Sequence, residues 1–245
     1  MGLFDRFRGG TARPRAKSTP AAKWADRVEK RAQSYDRQEA IQALAEMGTA
    51  DAAEALLKRF TFQADPSITD QEEKDSAFRG ILRAGADAIE PVRAFAARAE
   101  SVAWPMKIMK ELLPEQDFVQ ELLRWLGRWD TEYAKFVDPK VQILAALEEH
   151  RHPGLREAVE RFLEDVNESA RFHAVAALLA QGDEAATPAL VDLILREESV
   201  RIKNRVAEGL WARGWVVPVD RRDAARKAIP DPYGLDSSGR VTKRT

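Results

Sequence analysis

Five basic side chains, Arg37, Lys74, Lys140, Arg171 and Lys203, occupy one slot of a recurring pattern. Each is followed at fixed offsets by two apolar residues, a small residue and a further apolar one, as in Arg171-x-x-Ala174-Val175-x-Ala177-Leu178. Four of the copies close on a glycine, at Gly48, Gly85, Gly182 and Gly214; the copy begun by Lys140 has Arg151 there instead. A cation at a fixed point of a repeat has two chemical uses. It can build a ladder, pairing with a carboxylate or an orphan helix-end carbonyl of the neighbouring repeat. It can also face outward as a basic stripe for an acidic partner.

Two clusters outside that slot could bind a partner. The first is aromatic: Trp104, Phe118, Trp125, Trp129, Tyr133 and Phe136. Phe118, Leu122, Trp125 and Trp129 share one helical stripe, which continues into the core through Val119, Leu123 and Leu126. Trp125 and Trp129 flank it beside Arg124 and Arg128, the residue types enriched at binding hot spots, and these four are the candidates for an exposed docking ridge. The second cluster lies in the last repeat, where Arg201, Lys203, Arg205 and Arg213 interleave with Trp211 and Trp215. Basic residues among tryptophans can hold an anionic partner, so Arg201, Arg205 and Trp211 are binding candidates, although a terminal capping repeat must also show a polar outer face.

Enzyme signatures are lacking in the sequence. His150 and His152 diverge on a helix, His173 stands alone, and there is no H-E-x-x-H, phosphate-cradling glycine loop, G-x-S-x-G or calcium loop. The absence of cysteine removes disulfides, thiolate metal sites and a thiol nucleophile. No catalytic residue, metal site or cofactor is therefore expected.

The elements that position these side chains are helices. The chain has 245 residues, 44% hydrophobic and 32% charged, dominated by strong helix formers. Apolar positions at i, i+1, i+4 and i+8 make one buried stripe, the small slot lets a neighbouring helix approach, and the glycine sits where a helix end turns left-handed. A second helix follows each copy, with Pro91 and Pro188 at the same offset from their glycines, as suits a first helical turn. The spacing predicts helix pairs over 21–34/36–47, 50–60/71–84, 87–100/103–113, 115–129/139–150, 153–165/168–181 and 184–196/199–213, then a capping helix over 220–229. Loop insertions are expected at 61–70 and 130–139. The glycine- and proline-bearing segments 1–20 and 230–245 are expected as disordered tails, leaving one solenoid over 21–229.

The stretch Arg171-x-x-Ala-Val-x-Ala-Leu-x-x-x-Gly-Asp183-x-x-Ala186-x-Pro188-x-Leu190 resembles HEAT repeats, in particular the bacterial HEAT-like repeats of the phycobilin lyase type. The resemblance covers roughly residues 21–229 and is poorest over 102–138. It implies an all-α, right-handed superhelix of about six helix pairs. It also implies that the helices begun by the basic slot line the concave face, where partners usually dock, and that the slot forms a structural ladder. Proteins of this kind include scaffolds and adaptors, phycobilin lyase subunits and DNA-alkylation glycosylases. The expectation is a non-enzymatic, cytoplasmic adaptor that binds another protein.

Charge sharpens the partner. Residues 1–34 carry nine basic and three acidic side chains, residues 35–199 carry 19 and 32, and residues 200–227 carry eight and three. The acidic body suits a partner with a basic surface and disfavours nucleic acid. At the N-terminus, Leu3, Phe4 and Phe7 with Arg6 and Arg8 could give only a weak membrane foot over residues 1–8.

Overall fold

In a computed structural model of the chain, residues 19–244 are described. The expected tail over 1–18 and the membrane foot lie outside them. The fold is an all-α helical repeat solenoid by class, and its helices gather into two compact units divided between Ala84 and Gly85.

In the first unit, α1 (Ala22–Ala25) runs into a 3-10 turn (Asp26–Val28) and is followed by α2 (Ser34–Met47), α3 (Ala50–Leu57) with a 3-10 extension (Lys58–Thr61), and α4 (Ser67–Arg83). α2 packs on both α3 and α4, burying Ala40, Ile41 and Leu44 against Leu56, Leu57, Ala77 and Ile81. The helix expected over 21–34 stops early. The backbone becomes extended at Glu29 so that the chain can redirect into α2, and Arg37 holds that turn by donating to the Ala32 carbonyl at 2.8 Å.

In the second unit, a 3-10 turn (Gly85–Ala88) leads to α5 (Ile89–Ala96). Then come α6 (Ala103–Leu112), α7 (Glu115–Leu126), α8 (Asp138–Leu147), α9 (Leu155–Glu160), α10 (Glu168–Gln181), α11 (Thr187–Arg196), α12 (Val200–Arg213) and α13 (Arg222–Ala228). α10 lies between α8 and α12, while α9 backs α10 and α11 backs α12 and α13. The helices begun by the basic slot thus form one layer and their partners another. Asn167 and Ser199 cap α10 and α12 by accepting from the N–H groups of Ala170 and Ile202. Gly182 and Gly214 end the same helices at φ 79° and 64°, a left-handed turn that a side chain would strain. The copy without a glycine ends differently: α8 stops at Leu147 and unwinds through 3-10-type bonds from Glu148, Glu149 and His150.

The C-terminal segment corrects an expectation. Residues 230–244 form no loose tail but an antiparallel hairpin of β1 (Tyr233–Leu235) and β2 (Val241–Lys243). Its turn is tied by Asp236, which accepts from the Arg240 N–H and the Ser238 hydroxyl. Tyr233 and Val241 are buried, β2 packs on α12 and β1 on α13, and the Val217 N–H donates to the Gly239 carbonyl. The hairpin therefore covers the apolar end that the last repeat would otherwise expose.

Candidate functional site

The basic slot is mostly used inside the protein. Arg171 donates from Nε and a terminal nitrogen to the two oxygens of Glu197 at 2.7 and 2.9 Å, and its other nitrogen reaches the Asp165 carbonyl at 2.9 Å. Burial alone would raise the Glu197 carboxyl, but the Arg171 hydrogen bonds, reinforced by the Ser199 and Glu198 N–H groups, hold it below its ordinary range. One repeat earlier, Lys140 is fully buried, ion-paired with the buried Asp165, and hydrogen-bonded to the Asp130 carbonyl at 3.1 Å. Each cation thus grips the loop before its own helix and a carboxylate ahead of the next basic-slot helix.

In the first unit the same arrangement closes into a network. Glu73 Oε2 accepts from Arg37 Nε and Arg59 Nε, both at 2.7 Å, and all three side chains are buried. Arg59 continues to Asp70 at 2.6 Å, and Lys74 meets the other Asp70 oxygen at 2.6 Å. Burial would raise the Asp70 carboxyl; hydrogen bonds from Lys74, Arg59 and the Ala64 N–H outweigh it and lower the pKa to about 2. Lys74 therefore pairs within its own helix rather than across to a neighbour. Lys203, at the last rung, makes no ion pair among the described residues.

The aromatic ridge is dismantled by burial. Trp125 is only 2% exposed, and its indole N–H donates to Glu121 Oε1 at 2.6 Å. Glu121, itself buried, also accepts from Arg93 and Arg124 at 2.7 and 2.8 Å. Trp125 is a core residue and Arg124 is committed to the carboxylate that orients it. Trp129 is half-buried; with the exposed Arg128 it borders a cavity of about 180 Å³, lined otherwise by Ala96, Ala97, Val102, Trp125 and Ile143.

Of the last-repeat cluster, Arg201 and Arg205 come together in one cavity. A groove of about 580 Å³ runs over α10 and α12 from Glu148 to the hairpin, with Phe172, Arg201, Asn204, Arg205, Tyr233 and Lys243 in its lining. The Arg201 guanidinium lies 3.6 Å from the centre of the Phe172 ring. Lys243 Nζ lies 5.1 Å from the Trp211 ring and 5.6 Å from Tyr233. Trp211 is 42% exposed. Arg205 is 3.5 Å from Glu208, whereas Arg201 and Lys243 make no ion pair among the described residues. Phe172, Asn204, Tyr233 and Lys243 were not singled out by the sequence reading. The strands of the hairpin are three residues each, so the turn residues Asp236-Ser-Ser-Gly239 between them are its one sequence signal.

The first unit has its own groove of about 600 Å³ between α2 and α4, with Gln42, Glu46, Glu72, Asp75 and Arg79 in its lining. It is acidic where the other is cationic. Among the described residues no helix is long and apolar enough to cross a membrane.

Comparison with known families places a match to the model described as HEAT repeats on residues 132–211, the part of the second unit from the loop before α8 through most of α12. No curated protein and no solved structure matches the chain.

Proposed function

We propose that this protein is a non-enzymatic interaction scaffold, binding a partner protein in the grooves over its basic-slot helices. HEAT repeats are commonly protein-interaction scaffolds. One observation carries the reading: in both units a groove of several hundred Å³ opens on the helices begun by the basic slot, α2 and α4 in one and α10 and α12 in the other. This is the side on which the repeat resemblance puts partner docking. Four of the five slot cations are spent on the scaffold, so recognition falls to other side chains of those helices. In the second unit these are Arg201, Asn204 and Arg205, which flank Lys203 on α12, with Trp211 at the edge. The acidic groove of the first unit suits the basic partner surface that the charge of the body suggests.

The test is to obstruct each groove without disturbing the core. Asn204 and Gln42 are accessible groove residues, so Asn204→Trp and Gln42→Trp should fold normally and fill the respective grooves. Proteins captured from the native cell extract by the unaltered chain should be lost with at least one of these variants. Equal recovery with both variants and with the unaltered chain would sink the proposal.

A further inference from the structure

We infer that the groove of the second unit accepts an acidic, partly apolar segment of a partner protein, anchored by Arg201 and Lys243, the two cations of its lining that make no ion pair among the described residues. The inference rests on the reading of this groove as a docking site and adds the chemistry of what docks. Arg201 comes from the first turn of α12 and Lys243 from the end of β2, and both line the one cavity. Each is held over aromatic faces, Arg201 on Phe172 and Lys243 on Trp211 and Tyr233. An aromatic face fixes the place of a cation without neutralising it, so the charge stays available to an incoming carboxylate. Two slot cations of this unit are consumed, since Lys140 and Arg171 have carboxylate partners.

Two further features decide between classes of anion. Glu148 and Glu208 also line the groove, so its charge alternates in sign. A continuous phosphate backbone would be repelled at both, whereas a peptide can place its acidic residues at Arg201, Arg205 and Lys243 and neutral ones at the glutamates. Apart from Asn204, the rest of the wall, Phe172, Ala176, Pro232 and Tyr233, is largely apolar and suits aliphatic side chains between the acidic ones.

The measurement is fluorescence anisotropy with three labelled probes on the full chain: a peptide alternating Glu and Leu, the same peptide with Gln for Glu, and single-stranded oligo(dT). The acidic peptide should bind, and the Gln peptide should bind at least about tenfold more weakly. Arg201→Gln with Lys243→Gln should weaken the acidic peptide by about tenfold or more, while circular dichroism and thermal melting of the variant stay unchanged. Equal binding of the Gln peptide, tighter binding of oligo(dT), unaltered binding by the double variant, or no binding of the acidic peptide would each overturn the inference. The parent reading is judged separately. If Asn204→Trp abolishes partner capture while the charge variant does not, docking stands and the acidic-segment chemistry falls. If Asn204→Trp leaves capture through this unit intact, the groove itself is excluded.

Discussion

Glu73 shows how much of the charge on this chain is structural. Its Oε2 serves two guanidiniums, Arg37 and Arg59, that are 5% and 0% exposed. Without Glu73 the buried Arg37 guanidinium loses its carboxylate while Arg59 keeps Asp70, and breaking a buried pair by removing one partner costs about 3–5 kcal/mol. Glu73→Ala should therefore lose that much in urea unfolding. Arg226→Ala, which breaks a pair with the 97% exposed Asp223, should change stability by no more than about 0.5 kcal/mol. Asp70 adds a pH dependence of definite sign. Its carboxyl ionises at about 2 in the fold against 3.8 ordinarily, so the unfolded chain binds the proton more readily. The stabilisation is complete above about pH 4 and is lost as the pH falls towards 2. Asp70→Asn should be less stable than the unaltered chain near neutrality by on the order of 2 kcal/mol, and the gap should close between about pH 4 and pH 2 in acid-unfolding curves. A gap that stays constant over that range would refute the assignment.

Helix–helix spacing is set by the small slot. A Cβ on Gly80 would lie 2.6 Å from the Ala45 Cβ and 2.9 Å from its Cα, so α2 and α4 approach nearly backbone to backbone. Alanine in a helix normally gains about 1 kcal/mol over glycine. At Gly80 the clash involves backbone that cannot rotate away, and Gly80→Ala should instead destabilise by about 1–3 kcal/mol, read from thermal melts. A stabilised variant would show that the helices can part freely. The small slot and its glycine closers were legible because both are backbone requirements that only a few residue types meet. The boundaries of α10 and α12 were legible for the same reason, since Asn167, Gly182, Ser199 and Gly214 mark them chemically. The C-terminal hairpin was not. Its strands are three residues each, too short for a convincing period, and their apolar residues matter only against the end of α12, which sequence alone does not place beside them. The burial of Trp125 was left open between core and docking ridge for a related reason: the carboxylate that accepts its N–H is one helical turn away at Glu121, and nothing in the sequence marks that glutamate as buried.

At the scale of the whole chain, most of the slot cations serve the scaffold: Arg37, Lys74, Lys140 and Arg171 are ion-paired within it. The clearest candidate site lies where the repeats end and a hairpin brings Tyr233 and Lys243 to the groove of α10 and α12. The overall charge layout bears on that site from a distance. Residues 35–199 carry an excess of acidic side chains, whereas residues 200–227 carry eight basic and three acidic, so an anionic partner is repelled along most of the chain and drawn towards its C-terminal part. Charges outside a binding site act mainly on encounter, because they shape the long-range potential without touching the bound partner. Arg226 and Lys227 are exposed on α13 and do not line the groove. Arg226→Gln with Lys227→Gln should therefore slow association of the acidic peptide several-fold at low salt and leave its dissociation rate unchanged. The difference should shrink as ionic strength rises and the Debye length falls to about 8 Å near physiological salt. Stopped-flow measurement over a salt series checks this. A change confined to dissociation would mean that these residues contact the peptide directly and that the groove extends onto α13.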